Sequence, residues 1–194
     1  MLNQWWDIFE DQIGRPEFGA RLKDASAQER LRDWTRLTTT AVVRTCELMG
    51  WEATARGHQL RRLPESASEY LSLDVMAFPD RENCGDVPWP MPVAVFELEN
   101  SPRDDRVAYS LWKVLCVRTA LRMVYAYRRD WEQTRGLMNH LASEVIGSLS
   151  LHERKQLEGV TTAVTGSRGE SETFPHGYFK LWLLDTNLGK FERV

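Results

Sequence analysis

Val93-Ala94-Val95-Phe96-Glu97-Leu98-Glu99-Asn100 is the stretch on which the reading of this sequence turns. Val93 to Leu98 is almost continuously apolar, which suits a central strand covered on both faces. Glutamates placed against such a run are costly unless they are paired or bind a cation. Side chains alternate along a strand, so Glu97 and Glu99 share a face. Ser101 and Pro102 then read as the N-cap and first position of a helix. That helix is expected to run to about residue 119, with Val107, Leu111, Val114 and Leu115 inward. Leu121 to Tyr127 is the next strand, and strand, helix and strand together form a right-handed βαβ crossover.

Outward from this core, Ser26 reads as an N-cap with Glu29 as its capping-box partner. Leu31, Trp34, Leu37, Ala41, Val42, Thr45 and Leu48 follow at helical spacing, and Gly50 ends the helix. Glu52 to Arg56 is a short strand, and Tyr70 to Phe78 a stronger one that Pro79 stops. Both are expected to be antiparallel neighbours of the central strand. Beyond the crossover the pattern gives a helix from Glu132 to Leu149 and a short helix from His152 to Leu157. A hairpin of Thr162 to Thr165 with Tyr178 to Leu184 closes the chain. The fold class is α/β, a mixed central sheet with helices on both faces.

The 194 residues, 42% hydrophobic and 27% charged, suit one globular unit rather than a disordered chain. Residues 1–27 are set apart as an N-terminal helical arm, and 28–194 as the main domain with its C-terminal helix and hairpin. A net charge of −3 disfavours a stand-alone nucleic-acid binder, so any such contact must use a local basic patch or a partner. Cys46, Cys84 and Cys116 are odd in number and far apart, which suggests neither disulfides nor a zinc site. Acidic residues interrupt the N-terminal apolar pattern as they would not in a signal peptide, and no apolar run reaches membrane-spanning length. A cytoplasmic protein without membrane contact is expected. Trp5, Trp6 and Phe9 carry two readings: they pack on the domain's own core, or they form an arm that docks on a partner. The second, with the acidic charge, leads to the expectation of a homodimer or a subunit of a larger complex.

The chemistry centres on carboxylates at strand ends. Asp74 closes Tyr70-Leu71-Ser72-Leu73, and Glu97 and Glu99 end the central strand. If these strands pair, Asp74 reaches the face of Glu97, and the Leu98 carbonyl adds an oxygen. An all-oxygen donor set suits Mg²⁺ or Mn²⁺. The histidines His58, His140, His152 and His176 show neither metal-ligand spacing nor a paired nucleophile, and no phosphate-binding glycine loop precedes a lysine.

The order helix, three strands, helix, strand, together with Asp74 and Glu97, resembles the PD-(D/E)-X-K, or restriction-endonuclease-like, nuclease superfamily, with its αβββαβ core. The resemblance covers about Gln28 to Arg128. It implies Asp74 and Glu97 as metal ligands, with Glu99 at the position usually held by Lys. Leu73 stands where the pattern has Pro. In some members the Lys has moved to the helix after the third strand, where Lys113 lies here. A further acid often comes from the first core helix, and Glu47 is the candidate. The implied activity is Mg²⁺- or Mn²⁺-dependent hydrolysis of phosphodiester bonds, in DNA before RNA, in the setting of defence against foreign DNA or a mobile element. The catalytic set is then Asp74, Glu97, Glu99 and Lys113.

From Arg103 to Arg135 basic residues outnumber acidic ones, and that segment could track a phosphate backbone. Arg103 and Arg106 are its candidates, with Arg61 and Arg62, beside Arg56 and His58, as a second contact. The alternative function is a nuclease-like module that no longer cuts and serves as an interaction scaffold; Glu99 in the Lys position and the tryptophan-rich arm keep it open.

Overall fold

The computed structural model describes residues 1–60, 70–80, 85 and 87–194. Three helices come first: α1 (Leu2–Gly14), α2 (Pro16–Ala27) and α3 (Leu31–Leu48). Strands β1 (Trp51–Ala55), β2 (Val75–Pro79) and β3 (Ala94–Leu98) follow, then helix α4 (Asp104–Leu115) and strand β4 (Leu121–Arg128). Helix α5 (Trp131–Leu141) runs into a π-helical turn at Ala142–Ile146, and α6 (Leu151–Lys155) is short. The chain ends on β5 (Val160–Ser167), β6 (Phe179–Asp185) and β7 (Lys190–Arg193).

The seven strands form one mixed sheet in chain order. β1, β2 and β3 are antiparallel, β3, β4 and β5 are parallel, and β5, β6 and β7 are antiparallel again. Helices cover both faces, and α3 to β4 has the αβββαβ order expected from the resemblance. β3 and β4 are buried along their whole length, as a parallel pair between two helical layers must be.

Alternation sorts the side chains into two cores. Ala94, Phe96 and Leu98 of β3, with Met123, Tyr125 and Tyr127 of β4, meet Trp5, Phe9, Trp34 and Leu37 of α1 and α3. Val95 and Val124 face the other way, onto Val107, Leu111 and Val114 of α4 and Leu137 and Leu141 of α5. The first core is aromatic: Trp5 stacks on Phe9 at 5.3 Å and lies 5.2 Å from Phe96. Trp5 and Phe9 are fully buried, so the docking-arm reading fails for them. Three helical turns put both side chains on the sheet, and only Trp6 stays partly exposed.

Several element boundaries differ from the sequence expectation. Ser26 does not cap a helix; α2 continues through it and its hydroxyl meets the Tyr178 hydroxyl at 2.9 Å. The break comes at Glu29, in a left-handed conformation (φ 50°), and α3 starts at Leu31. β2 starts at Val75 rather than Tyr70, because Leu71 and Ser72 both adopt positive φ (54° and 56°). Helix α4 starts at Asp104, with Arg103 as N-cap instead of Ser101. β5 pairs with β4 in parallel as well as with β6, and β7 was not anticipated at all. No helix among the described residues is long and apolar enough to cross a membrane.

Candidate active site

The antiparallel register sets Val75 opposite Phe96, so the next step outward brings Asp74 toward Glu97. Hydrogen bonds fix the approach. The Leu98 amide donates to Asp74 Oδ2 at 2.7 Å, and the Asp74 amide lies 3.4 Å from Glu97 Oε1. Asp74 is thereby clamped across the end of β3, and the Leu98 backbone meets it through its N–H. Alternation points Glu97 to the α4 side of the sheet, beside Val95.

Lys113 answers Glu97 from α4. Its Nζ lies 2.8 Å from Glu97 Oε1 and donates to the Ser72 carbonyl at 2.6 Å. The Glu97 side chain is 5% exposed and that of Lys113 20%, so this pair is largely out of water. Burial pushes the Glu97 carboxyl up to about 7; the Lys113 hydrogen bond opposes the rise and the Asp74 charge adds to it. The Ser72 carbonyl reaches Lys113 from the left-handed pair Leu71–Ser72. Such conformations cost a non-glycine residue about 1–2 kcal/mol each, so the turn directly before Asp74 is held under strain.

Glu99 behaves differently from Glu97. Its Oε1 accepts the Ser101 amide at 2.7 Å, which closes the turn leading to α4. Glu47 is exposed near the end of α3. Trp51, just after that end, pairs with Pro79, and Asp74 lies beyond the opposite end of β2. The structure therefore does not bring Glu47 to the other carboxylates. The part of α3 that faces Asp74 is the preceding one. Arg32, Thr35, Arg36, Thr39 and Thr40, with Arg56, Gly57 and His58 of the turn after β1, line an open groove of about 900 Å³ that ends on Asp74.

The basic segment expected after β3 divides by role. Arg122 is 3% exposed and spends its guanidinium on backbone, donating to the Val117 and Glu158 carbonyls. Arg128, 6% exposed, reaches Asp104 at 2.5 Å and the Tyr127 carbonyl at 2.7 Å, tying β4 to the first turn of α4. Arg103 is exposed but paired with Asp105, and Arg106 is exposed. These buried guanidinium groups cannot track a phosphate chain, so the excess counted along the sequence overstates the surface charge. Arg61 and Arg62 lie outside the described residues. Arg32 and Arg36 were missed because a helix with a strong inward stripe draws attention to that stripe; their spacing of four with Thr39 and Thr40 beyond them was the available signal.

Among the described residues no three His, Cys, Asp or Glu side chains converge on one point. The side chains that could hold a cation are thus the pair Asp74 and Glu97. Two carboxylates, completed by water and phosphate oxygens, are a shell that Mg²⁺ commonly takes. A buried glutamate lifted toward neutrality beside a second carboxylate is a place where a cation relieves repulsion. The residues present fit a divalent ion.

No family model and no curated protein matches the sequence. A solved structure similar to the chain is NucC of E. coli MS115-1 in a cAAA-bound form, at a TM-score of 0.47 and 12% identity. The match covers 98% of this chain and 81% of that one. A likeness at that score does not bear on activity.

Proposed function

We infer that the chain is a divalent-metal-dependent nuclease that hydrolyses phosphodiester bonds, with DNA as the substrate expected from the family resemblance. One observation carries the reading: a part-buried Asp74–Glu97–Lys113 cluster stands at the end of a groove lined with arginine, histidine and threonine.

Each part has a task in this reading. Arg32, Arg36 and Arg56 bind the phosphate backbone by charge, Arg36 from beside Asp33, while the Thr35 and Thr40 hydroxyls already donate to the Leu31 and Arg36 carbonyls. Asp74 and Glu97 hold the ion, which when bound supplies Lewis acidity toward the scissile phosphate. Lys113, oriented by Glu97 and the Ser72 carbonyl, places its ammonium where negative charge develops on the phosphate. Glu99 is a positioning residue that holds the turn into α4. The groove provides the local basic patch that an acidic chain needs, so the reading does not require a partner's charge.

A second reading is favoured by the same ion pair. Lys113 already neutralises Glu97, as a module that binds nucleic acid without cutting would allow. The purified protein on labelled single- and double-stranded DNA, with Mg²⁺, Mn²⁺ or EDTA, separates the two. Cleavage with metal, absent in EDTA and in Asp74→Ala and Glu97→Ala, is expected. Binding without cleavage under every metal supports the second reading; cleavage that persists in EDTA or in Glu97→Ala removes the mechanism.

A further inference from the structure

Helix α4 buries Val107, Leu111 and Val114 and turns a different face outward. On that face Tyr109 and Trp112 are 55% and 54% exposed, although both are large aromatic residues. They are not independent. Their rings stack with centroids 6.0 Å apart and planes 27° apart. Tyr109 in turn lies under Lys113, whose Nζ is 5.8 Å from its ring centroid, and the same Nζ is 2.8 Å from Glu97. An unbroken line of contacts thus runs from the buried carboxylate to two half-exposed aromatic rings. Arg106, one turn before Tyr109, is also exposed. Beside Ser72, which Lys113 touches, Leu71 is 70% exposed.

Exposed stacked rings need a reason, because two aromatic side chains in water forgo the burial that makes them useful in a fold. A protein partner is a poor fit. Two half-exposed rings and a leucine offer on the order of 400 Å², about half of the ~800 Å² per partner that a stable protein interface takes. The flanking cations are the exposed Arg106 and the part-buried Lys113, while the exposed Asp105 beside them is held by Arg103. Flat π-faces interleaved with cations are how proteins hold unpaired nucleobases and their phosphates. Bases stacked inside a duplex have no free face to offer, so such a platform acts on single-stranded or locally opened nucleic acid.

We propose that Tyr109 and Trp112 form a stacking platform for an unpaired base of the strand whose phosphate lies at Lys113. The inference rests on the nuclease reading for the identity of the ligand. It adds the class of substrate: the site takes single-stranded nucleic acid, with its backbone in the α3 groove on one side of Asp74 and a base on α4 on the other.

The test is equilibrium binding in EDTA, so that turnover plays no part and a failure of the cleavage reading stays separate. The probes are a fluorescent oligothymidylate, the same strand with abasic sites, and a duplex of the same length. The expected result is that the wild type prefers the oligothymidylate over the abasic strand. The double variant Tyr109→Ala, Trp112→Ala should lose that preference, with binding weaker by about tenfold or more. Tyr109→Phe with Trp112→Phe should retain it, because the rings remain, and duplex binding should change far less in either variant. No wild-type binding to single strands, no effect of the alanine pair, or an equal loss on the duplex would overturn the proposal. So would a lower molecular mass by light scattering in the alanine variant with binding unchanged, which would make the rings a contact between copies. A wild type that binds in this way but does not cut in Mg²⁺ would remove the nuclease activity and keep the platform.

Discussion

The two faces of this sheet treat charge in opposite ways. The face toward α1 and α3 is filled by rings and aliphatic side chains, and its arginines, Arg32 and Arg36, stay at the surface. The face toward α4 takes charge inside: Glu97, Arg122 and Arg128 are the buried carboxylate and guanidinium side chains among the described residues, and alternation along β3 and β4 sends all three that way. Within that face a second contrast separates Glu97 from the two arginines. Arg122 and Arg128 spend their donors on backbone carbonyls and on Asp104, which completes them as structural ties. Glu97 sits beside another carboxylate, is lifted to about 7, and is met by a lysine that still touches solvent. Burial alone does not mark a site; in the nuclease reading, a raised carboxylate beside a second carboxylate and an open groove does.

That contrast can be broken most forcefully on the aromatic face. Trp5→Ala removes a fully buried ring between Phe9 and Phe96 and should cost about 4 kcal/mol in denaturant unfolding. Nucleic-acid binding measured below the unfolding transition should remain. Arg128→Ala should cost less, about 1–3 kcal/mol, because it leaves the Tyr127 carbonyl and the half-exposed Asp104 without their partner. It should also lower activity, since the start of α4, and so the placement of Lys113, depends on it. A stable Arg128→Ala protein would show that buried charge on this face is not structural.

Lys113→Ala sharpens the comparison at the site itself. Cleavage should slow by about 10²-fold, the usual effect of one lost charge-stabilising group, while the groove arginines keep substrate binding near wild type. The smallest effect expected has the opposite sign. The folded-state pKa of Glu97 is raised, so the metal-free protein holds this contribution to stability at acidic pH and loses it as pH rises through about 7. Glu97→Gln should therefore stabilise the metal-free protein above neutrality by on the order of 1–2 kcal/mol, with no gain in acid. A destabilised Glu97→Gln at every pH would mean that the Lys113 pair outweighs the burial of the carboxylate.

Much of the scaffold could be read from residues 93–128, because a continuously apolar strand and a helix with one inward stripe leave few alternatives. Asp74 and Glu97 were legible for the same reason: a carboxylate at the end of a buried strand is expensive, and the cost is visible in the sequence. The sequence also offered Lys113 for its place on the helix after β3. What remained hidden depended on three-dimensional accounting. Arg122 and Arg128 look like surface charge until alternation on β4 is known to have two buried faces. Ser26 looks like a cap because its hydroxyl's true partner, Tyr178, is 152 residues away. The break before β2 was hidden because Leu71 and Ser72 are not residues that announce positive φ. Trp5 and Phe9 could be core or arm until α1 was seen against β3.

The central claim is that Asp74 and Glu97 form one cation site at the charged end of the sheet. Titration of the metal-free protein with Mn²⁺, followed by the loss of free-ion paramagnetic signal, tests it without reference to turnover. Saturable binding is expected in the wild type, with loss of that binding in Asp74→Asn and Glu97→Gln and retained or tighter binding in Lys113→Ala, where the competing ammonium is gone. Unchanged Mn²⁺ binding in Glu97→Gln would contradict it.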